Sequence, residues 1–168
     1  VSTASSPTFV GQNNFGAADD IVVGLNSNFG SEIAYMPAGA SGLNPISLNT
    51  VTSPTFASSA ISNFPGTARV DMFNDFVYVT QPSFVSKFDM TTLASASLVS
   101  NYNPGGTVND IFIMPTGIYG LVAEGASGMA TINLSTMSSA TTLSIPVDNC
   151  IFSTISRVVS DGSFAYLT

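Results

Sequence analysis

The chain has 168 residues, enough to bury one domain core but not two. Its net charge is −7, and Arg69, Lys87 and Arg157 are its only basic residues, so it lacks the cations that a phosphate backbone requires and nucleic acid is excluded as a partner. Histidine is absent, which removes Ser-His-Asp and Cys-His catalysis and most transition-metal sites.

In chain order, the short apolar segments are Ser6-Pro7-Thr8-Phe9, Ile21-Val22-Val23, Ile33-Ala34-Tyr35-Met36 and Pro45-Ile46-Ser47-Leu48. The cycle restarts at Ser53-Pro54-Thr55-Phe56, an exact copy of the first tetrapeptide, and runs through Val70-Asp71-Met72, Phe76-Val77-Tyr78-Val79 and Lys87-Phe88-Asp89-Met90. A third cycle follows as Ala96-Ser97-Leu98-Val99, Ile111-Phe112-Ile113, Tyr119-Gly120-Leu121-Val122 and Thr131-Ile132-Asn133-Leu134. The fourth contains Thr142-Leu143-Ser144-Ile145, Arg157-Val158-Val159 and Phe164-Ala165-Tyr166-Leu167.

Two landmarks give the period independently. Phe9, Phe56, Leu98 and Leu143 fall 47, 42 and 45 residues apart, and Ile33, Phe76, Tyr119 and Phe164 fall 43, 43 and 45 apart. Each segment is rich in Val, Ile, Phe, Tyr and Thr and bounded by Gly, Pro, Asn, Asp or Ser, which is the pattern of strands and turns. Asn26 to Gly30, Asn74-Asp75, Pro115-Thr116-Gly117 and Ser160-Asp161-Gly162 occupy the same place in each cycle, where a tight hairpin needs positive φ. No window shows a helical period.

Four short antiparallel strands repeating every 40 to 50 residues form the pattern of a propeller blade, whose sheet has two apolar faces and must stack on neighbours to cover them. The reading is therefore all-β, a β-propeller of about three and a half four-stranded blades in a single domain or partial domain. The repeats run over about 4–51, 52–93, 94–137 and an incomplete 138–168.

With the strands in this order the repeat resembles the YVTN family of propeller repeats, related to the lactonase-like and NHL-type propellers. Val77-Tyr78-Val79-Thr80 stands at the place of that family's namesake tetrapeptide, with Asp75-Phe76 leading in and Ser83-Phe84-Val85-Ser86-Lys87-Phe88-Asp89 as the next strand. Ser160-Asp161-Gly162-Ser163-Phe164 is similar to its Ser-Pro-Asp-Gly turn without the Pro. The resemblance is clear over 67–168 and weak over 1–66, and it specifies a blade rather than a function. In that family's terms the chain begins with an outermost strand, holds three complete sets and ends half-way through a blade. This imbalance favours an excerpt of a longer protein over a deliberately open unit. In the open case, Ser6, Pro7, Thr8, Phe9 and Val10 would pair with the last strand, Phe164, Ala165, Tyr166 and Leu167. Pairing within one chain closes a ring, and pairing with the next builds a fibre.

Composition bears on location. Charged residues are 8% of the chain against 42 Ser and Thr, so the solvated surface is made of hydroxyls and amides, which points to an extracellular or cell-surface protein. Cys150 is the single cysteine, which rules out a disulfide within the chain and suits a small buried role. No run of about 20 apolar residues is present to span a membrane. Val1-Ser2-Thr3 lacks the basic start of a signal peptide, as in a processed chain or an excerpt.

Asp19, Asp20, Asp71, Asp75 and Asp110 lie beside or within the first strand of each cycle, which borders the channel of a propeller. Carboxylates gathered there could hold Ca²⁺, which needs oxygens and no histidine, although none of the spacings is that of a calcium loop. The alternative is that they cap turns and solvate the channel mouth. Glu32 and Glu124 could form an acid and base pair, yet they stand at non-equivalent positions of different cycles. Asn133-Leu134-Ser135 is a sequon for an N-linked glycan, and the Ser/Thr runs could carry O-linked sugar.

The expectation is a non-catalytic extracellular propeller module for structure or binding, a glycoprotein building unit of a surface fibre or appendage. Its partners would be other copies of itself, further blades of its parent chain, and glycans. The alternative is a lactonase-like, carboxylate- or metal-assisted hydrolase with its site at the channel mouth.

Overall fold

The computed structural model describes residues 18–50, 53–61, 69–143 and 154–168. Their strands fall into four antiparallel sheets, each a plain meander. Sheet 1 contains β1 (Val22–Asn26), β2 (Ser31–Pro37), β3 (Leu43–Ser47) and β4 (Thr55–Phe56). Sheet 2 contains β5 (Val70–Phe73), β6 (Phe76–Gln81), β7 (Phe84–Asp89) and β8 (Ser97–Tyr102). Sheet 3 contains β9 (Asp110–Ile113), β10 (Tyr119–Ala123), β11 (Met129–Asn133) and β12 (Ser138–Leu143). Sheet 4 has two strands, β13 (Val158–Ser160) and β14 (Ala165–Leu167).

Among the described residues there is no α-helix, only 3₁₀ turns at Gly39–Ser41 and Leu93–Ser95. The all-β reading and the repeating four-strand unit are thus both present. The expected strand at Ser6 to Val10, and Cys150, lie outside the described residues.

The hairpin between the first two strands of every sheet carries a residue of positive φ, at Gly30 (68°), Asn74 (53°), Gly117 (66°) and Gly162 (94°). Gly and Asn are the residues that reach this region at least cost, which is why the turn chemistry recurs with the strands. A second shared irregularity lies further out. The pairing of third and fourth strands shifts between Lys87 and Phe88 in sheet 2 and between Thr131 and Ile132 in sheet 3, a bulge that adds local twist.

Strand alternation explains the stacking. In β6, Val77 and Val79 face sheet 1 while Tyr78 faces sheet 3, so one strand feeds two cores. The first core joins Ile33, Tyr35 and Leu43 of sheet 1 to Val70, Val77 and Phe88 of sheet 2. The second joins Tyr78, Val85 and Tyr102 to Ile111, Val122 and Ile132, and the third joins Leu121, Ala123 and Met129 to Ile155 and Val158. Each fully buried large side chain contributes about 1.5–3 kcal/mol of transfer free energy, so the sheets hold together by their faces.

The first strands come together in sequence order: β1 lies beside β5, β5 beside β9, and β9 beside β13. They form the line along which the candidate residues are found.

Candidate functional site

Hairpin register shows which residues are equivalent between sheets. Val70 pairs with Val79, Ile111 with Val122 and Val158 with Leu167, while Val22 opposite Tyr35 places Ile21 opposite Met36. Ile21, Val70, Ile111 and Val158 are therefore one position. Sequence alone aligns Arg157 with Ile21 and Val70, one residue out of step, because a three-residue apolar segment does not fix its own register. The corrected position just before it reads Asp20, Arg69, Asp110, Arg157, alternating acid and base from sheet to sheet.

The acids in this row bridge sheets. Asp20 Oδ2 accepts a hydrogen bond from the Val70 amide at 3.1 Å, and Asp110 Oδ2 accepts one from the Val158 amide at 3.0 Å. One step along β5, Asp71 Oδ2 accepts from the Ile113 amide at 2.6 Å, and its Oδ1 accepts from Met72 at 2.8 Å. The logic is geometric. In each sheet the first strand pairs on one side only, leaving edge amides without a ladder, and a carboxylate from the preceding sheet meets them.

The other two candidates make different contacts. Arg69 Nη1 donates to the backbone carbonyl of Asp19 at 3.0 Å, so the main chain of Asp19 receives the guanidinium. Asp75 accepts from the Ser27 amide at 2.8 Å and from the Ser27 hydroxyl, tying the first hairpin turn of sheet 2 to that of sheet 1. Among the described residues no three His, Cys, Asp or Glu side chains gather as a metal site would require. Asp19, Asp20, Asp71 and Asp75 serve the junction of sheets 1 and 2 or point onward to sheet 3, while Asp110 serves that of sheets 3 and 4.

Neither a protein-family model nor a curated protein matches this chain. The site therefore has to be read from its own chemistry.

Burial raises the Asp71 carboxyl above its usual 3.8, against the pull of the Ile113 and Met72 amides, and the Asp110 and Asp20 charges push the same way. Burial also raises Asp110, opposed by the amides of Val158 and Ile111 and by Arg157 and Arg69. A carboxyl raised in the fold binds its proton more tightly there than in the unfolded chain. Stability from Asp71 is thus fully present below 3.8 and is lost as pH rises through its higher folded value. Asp71→Asn keeps an oxygen for the Ile113 amide, gives up the one that the Met72 amide uses, and removes the charge. Its melting temperature is expected to exceed that of the wild type at about pH 7 and to match it at about pH 3, read by thermal denaturation across that range. Asp71→Leu leaves the amide unpaired and is expected to lose about 1–3 kcal/mol.

Several polar residues missed by sequence reasoning do comparable work. Asn26 is buried and donates to the Met90 carbonyl of sheet 2 at 2.7 Å and to the Tyr35 hydroxyl at 3.2 Å, while its Oδ1 accepts from the Phe29 amide at 2.8 Å. Lys87 is buried as well. Its Nζ donates to the Leu134 carbonyl of sheet 3 at 2.8 Å and stands 4.3 Å from the centre of the Phe76 ring. Burial lowers its pKa, with Asp89 acting against that. The available signal was its place in the alternation, two residues after the inward Val85.

Glu124 is buried after β10, where its Oε1 accepts from the Tyr102 hydroxyl at 2.7 Å. The pair borders an open cavity of about 530 Å³ that Asn103, Ser127, Ser138 and Thr142 also line. Burial and the Glu124 carboxylate together push the Tyr102 phenol up. Glu32 lies exposed on β2 of sheet 1 and takes no part in this cavity. Asn133 ends β11 half-buried, its Oδ1 accepting from the Ser135 amide at 2.9 Å and the Ser135 hydroxyl at 2.6 Å.

At the far end of the row, β14 pairs with β13 alone among the described residues. Phe164 and Tyr166 are 68% and 52% exposed, Ala165 is exposed and Leu167 is half-buried against sheet 3. The Tyr166 hydroxyl donates to Asp161 Oδ2 at 2.8 Å.

Proposed function

We propose that this chain is a run of β-propeller blades of the YVTN type, working outside the cell as a non-catalytic structural or binding module and as a building unit of a surface fibre or appendage. The observation that carries the reading is the sequential contact of first strands, β1 to β5 to β9 to β13, each sheet offering one apolar face to its predecessor and the other to its successor. Sheets related in that way turn about a common axis in a propeller. The carboxylates of the inner row support the same reading, because their oxygens serve as fasteners for the amides of the next sheet.

A hydroxyl-rich, charge-poor surface supports the extracellular setting, where glycan on Asn133 would add solvation. The competing role, a carboxylate- or metal-assisted hydrolase, draws on one feature, the buried Glu124 beside its polar cavity.

Electron microscopy of the native material tests the structural role. Filaments or appendages with a repeating propeller unit are the expected image, and isolated closed rings would sink the fibre assignment. Calorimetric titration with Ca²⁺ tests the other side. No saturable heat and no change in melting temperature with chelator are expected, whereas a stoichiometric Ca²⁺ site on the inner strands would favour the hydrolase.

A further inference from the structure

Register singles out one pair of polar residues that stacking does not call for. Ile61 of sheet 1 and Tyr102 of sheet 2 are one position, since Ile61 lies opposite Leu43 and Tyr102 opposite Val85, the residues that pair with Pro37 and Thr80. Gln81 and Glu124 are one position too, directly after Thr80 and Ala123, which pair with Val85 and Met129. The junction of sheets 2 and 3 therefore has Tyr102 and Glu124 where the junction of sheets 1 and 2 has Ile61 and Gln81. Gln81 is satisfied within sheet 2, its Nε2 donating to the Ser86 hydroxyl at 2.8 Å. One blade thus stacks on another without a carboxylate at this place.

Glu124 is 4% exposed, and its Oε1 takes the Tyr102 hydroxyl at 2.7 Å. Its Oε2 receives no donor among the described residues, yet it is not sealed in the protein, because Glu124 lines the cavity of about 530 Å³. An oxygen of a buried carboxylate left without a donor costs stability, and a ligand that enters the cavity with its own donors removes that cost. The carboxylate is held ready for it. The Glu124 amide donates to the Gly128 carbonyl at 2.8 Å, its carbonyl accepts from the Ser127 amide at 3.0 Å, and Gly125 turns the chain between them at a φ of 58°.

The rest of the lining selects the ligand. Asn103, Ser139 and Thr142 bring an amide and two hydroxyls, all on exposed residues, with the hydroxyls of Ser139 and Thr142 3.3 Å apart. Asn103 Oδ1 is taken by the Gly105 amide at 2.7 Å, which leaves Nδ2 as the donor. Pro104 and Met137 add carbon surface. Among the described residues no basic side chain borders the cavity, so an anion meets the Glu124 charge with nothing to offset it. A charged acceptor, hydroxyls that work both ways, an amide donor and some carbon surface match a neutral sugar ring, whose hydroxyls donate and accept and whose C–H face is apolar. The volume is that of a small-molecule site, about 300–1,000 Å³. An ammonium ion would use the carboxylate and leave the Asn103 amide and the carbon surface idle.

We propose that this cleft between sheets 2 and 3 binds a neutral sugar ring, with Glu124 accepting from its hydroxyls and Asn103 donating to them. The site gives the binding half of the role above a ligand class, and it rests on that reading only in being non-catalytic, since a lone carboxylate holds a sugar without cleaving its glycosidic bond.

Saturation-transfer NMR on the intact chain, with methyl α-mannoside, methyl β-galactoside, N-acetylglucosamine and lactose as probes, tests this. At least one is expected to bind saturably. Glu124→Gln keeps the size of the side chain and an oxygen for Tyr102 but replaces a charged acceptor, and it is expected to weaken that binding more than about tenfold. Asn103→Ala, at the exposed rim, is expected to weaken it by about threefold with an unchanged melting temperature. Ser59→Ala, in the separate cavity between sheets 1 and 2, is expected to change nothing. Ovalbumin that binds only before enzymatic removal of its glycan marks a protein-borne sugar as the ligand, and binding confined to the small glycosides marks a free one. No saturable signal from any of the sugars, or binding that Glu124→Gln and Asn103→Ala leave unchanged, overturns the inference. Binding of N-acetyl-lysine amide in place of the sugars overturns it as well. Cleavage of bound lactose would overturn the non-catalytic reading and leave the sugar site standing.

Discussion

Phe88→Ala is expected to destabilise the protein by about 3–5 kcal/mol, the range for deleting a buried aromatic ring whose cavity only partly collapses. Phe88 is 2% exposed and sits where β7 of sheet 2 meets Ile33, Tyr35 and Leu43 of sheet 1. A domain of this size is stable by about 5–15 kcal/mol, so one substitution removes about a fifth or more of the margin. The corresponding drop in melting temperature is about 6–20 °C, taking about 2–4 °C per kcal/mol for a chain of this length. Leu98→Ala is the control. Leu98 is an apolar strand residue in the same sheet but 52% exposed, and its truncation is expected to cost less than about 1 kcal/mol. If the two substitutions cost the same, the face-to-face packing of sheets 1 and 2 is not what holds them.

The second large effect is at a turn. Gly117 has φ of 66°, and a β-carbon built there would lie only 2.0–2.3 Å from three atoms of the Phe73 ring of sheet 2. Gly117→Ala therefore combines backbone strain of about 1–2 kcal/mol with an overpacking cost of about 1–3 kcal/mol, for an expected loss of about 2–5 kcal/mol in a chemical denaturation series. Gly162 separates the two contributions. It occupies the same turn of sheet 4 at a φ of 94°, with nothing within 4 Å of its added β-carbon, so Gly162→Ala keeps only the strain. Equal losses at the two glycines would mean that the turn of sheet 3 does not press on sheet 2.

These two residues also mark how far the sequence carries. Gly117 was legible as a hairpin residue, because the turn signal recurs at a fixed place between two apolar segments. Its contact with Phe73 was not, since that ring belongs to another sheet and strand periodicity says nothing about which neighbour a turn touches. Phe88 was legible as a strand residue in an alternating segment, and its burial follows from that alternation.

The same division runs through the candidate site. Asp71 and Asp110 stand out in the sequence as carboxylates in or beside apolar first strands, and the structure places both there. Their partners are amides 42 and 48 residues away on the next sheet, a separation no local pattern encodes. The alternation of Asp20, Arg69, Asp110 and Arg157 was hidden by one residue of register. Only the pairing of Val158 with Leu167 aligns the fourth sheet with the others. The buried cross-sheet roles of Asn26 and Lys87 were not legible, for a related reason. Both are polar residues at inward positions, and their hydrogen bonds to Met90 and Leu134 make sense only once the adjoining sheets are in place.

The central claim of the proposed role is that the sheets continue one another around an axis. A density map of the assembled particle, by electron cryomicroscopy or crystallography, tests this most directly. The account predicts β1, β5, β9 and β13 side by side around one axis. A map in which the first strands do not share an axis would contradict it.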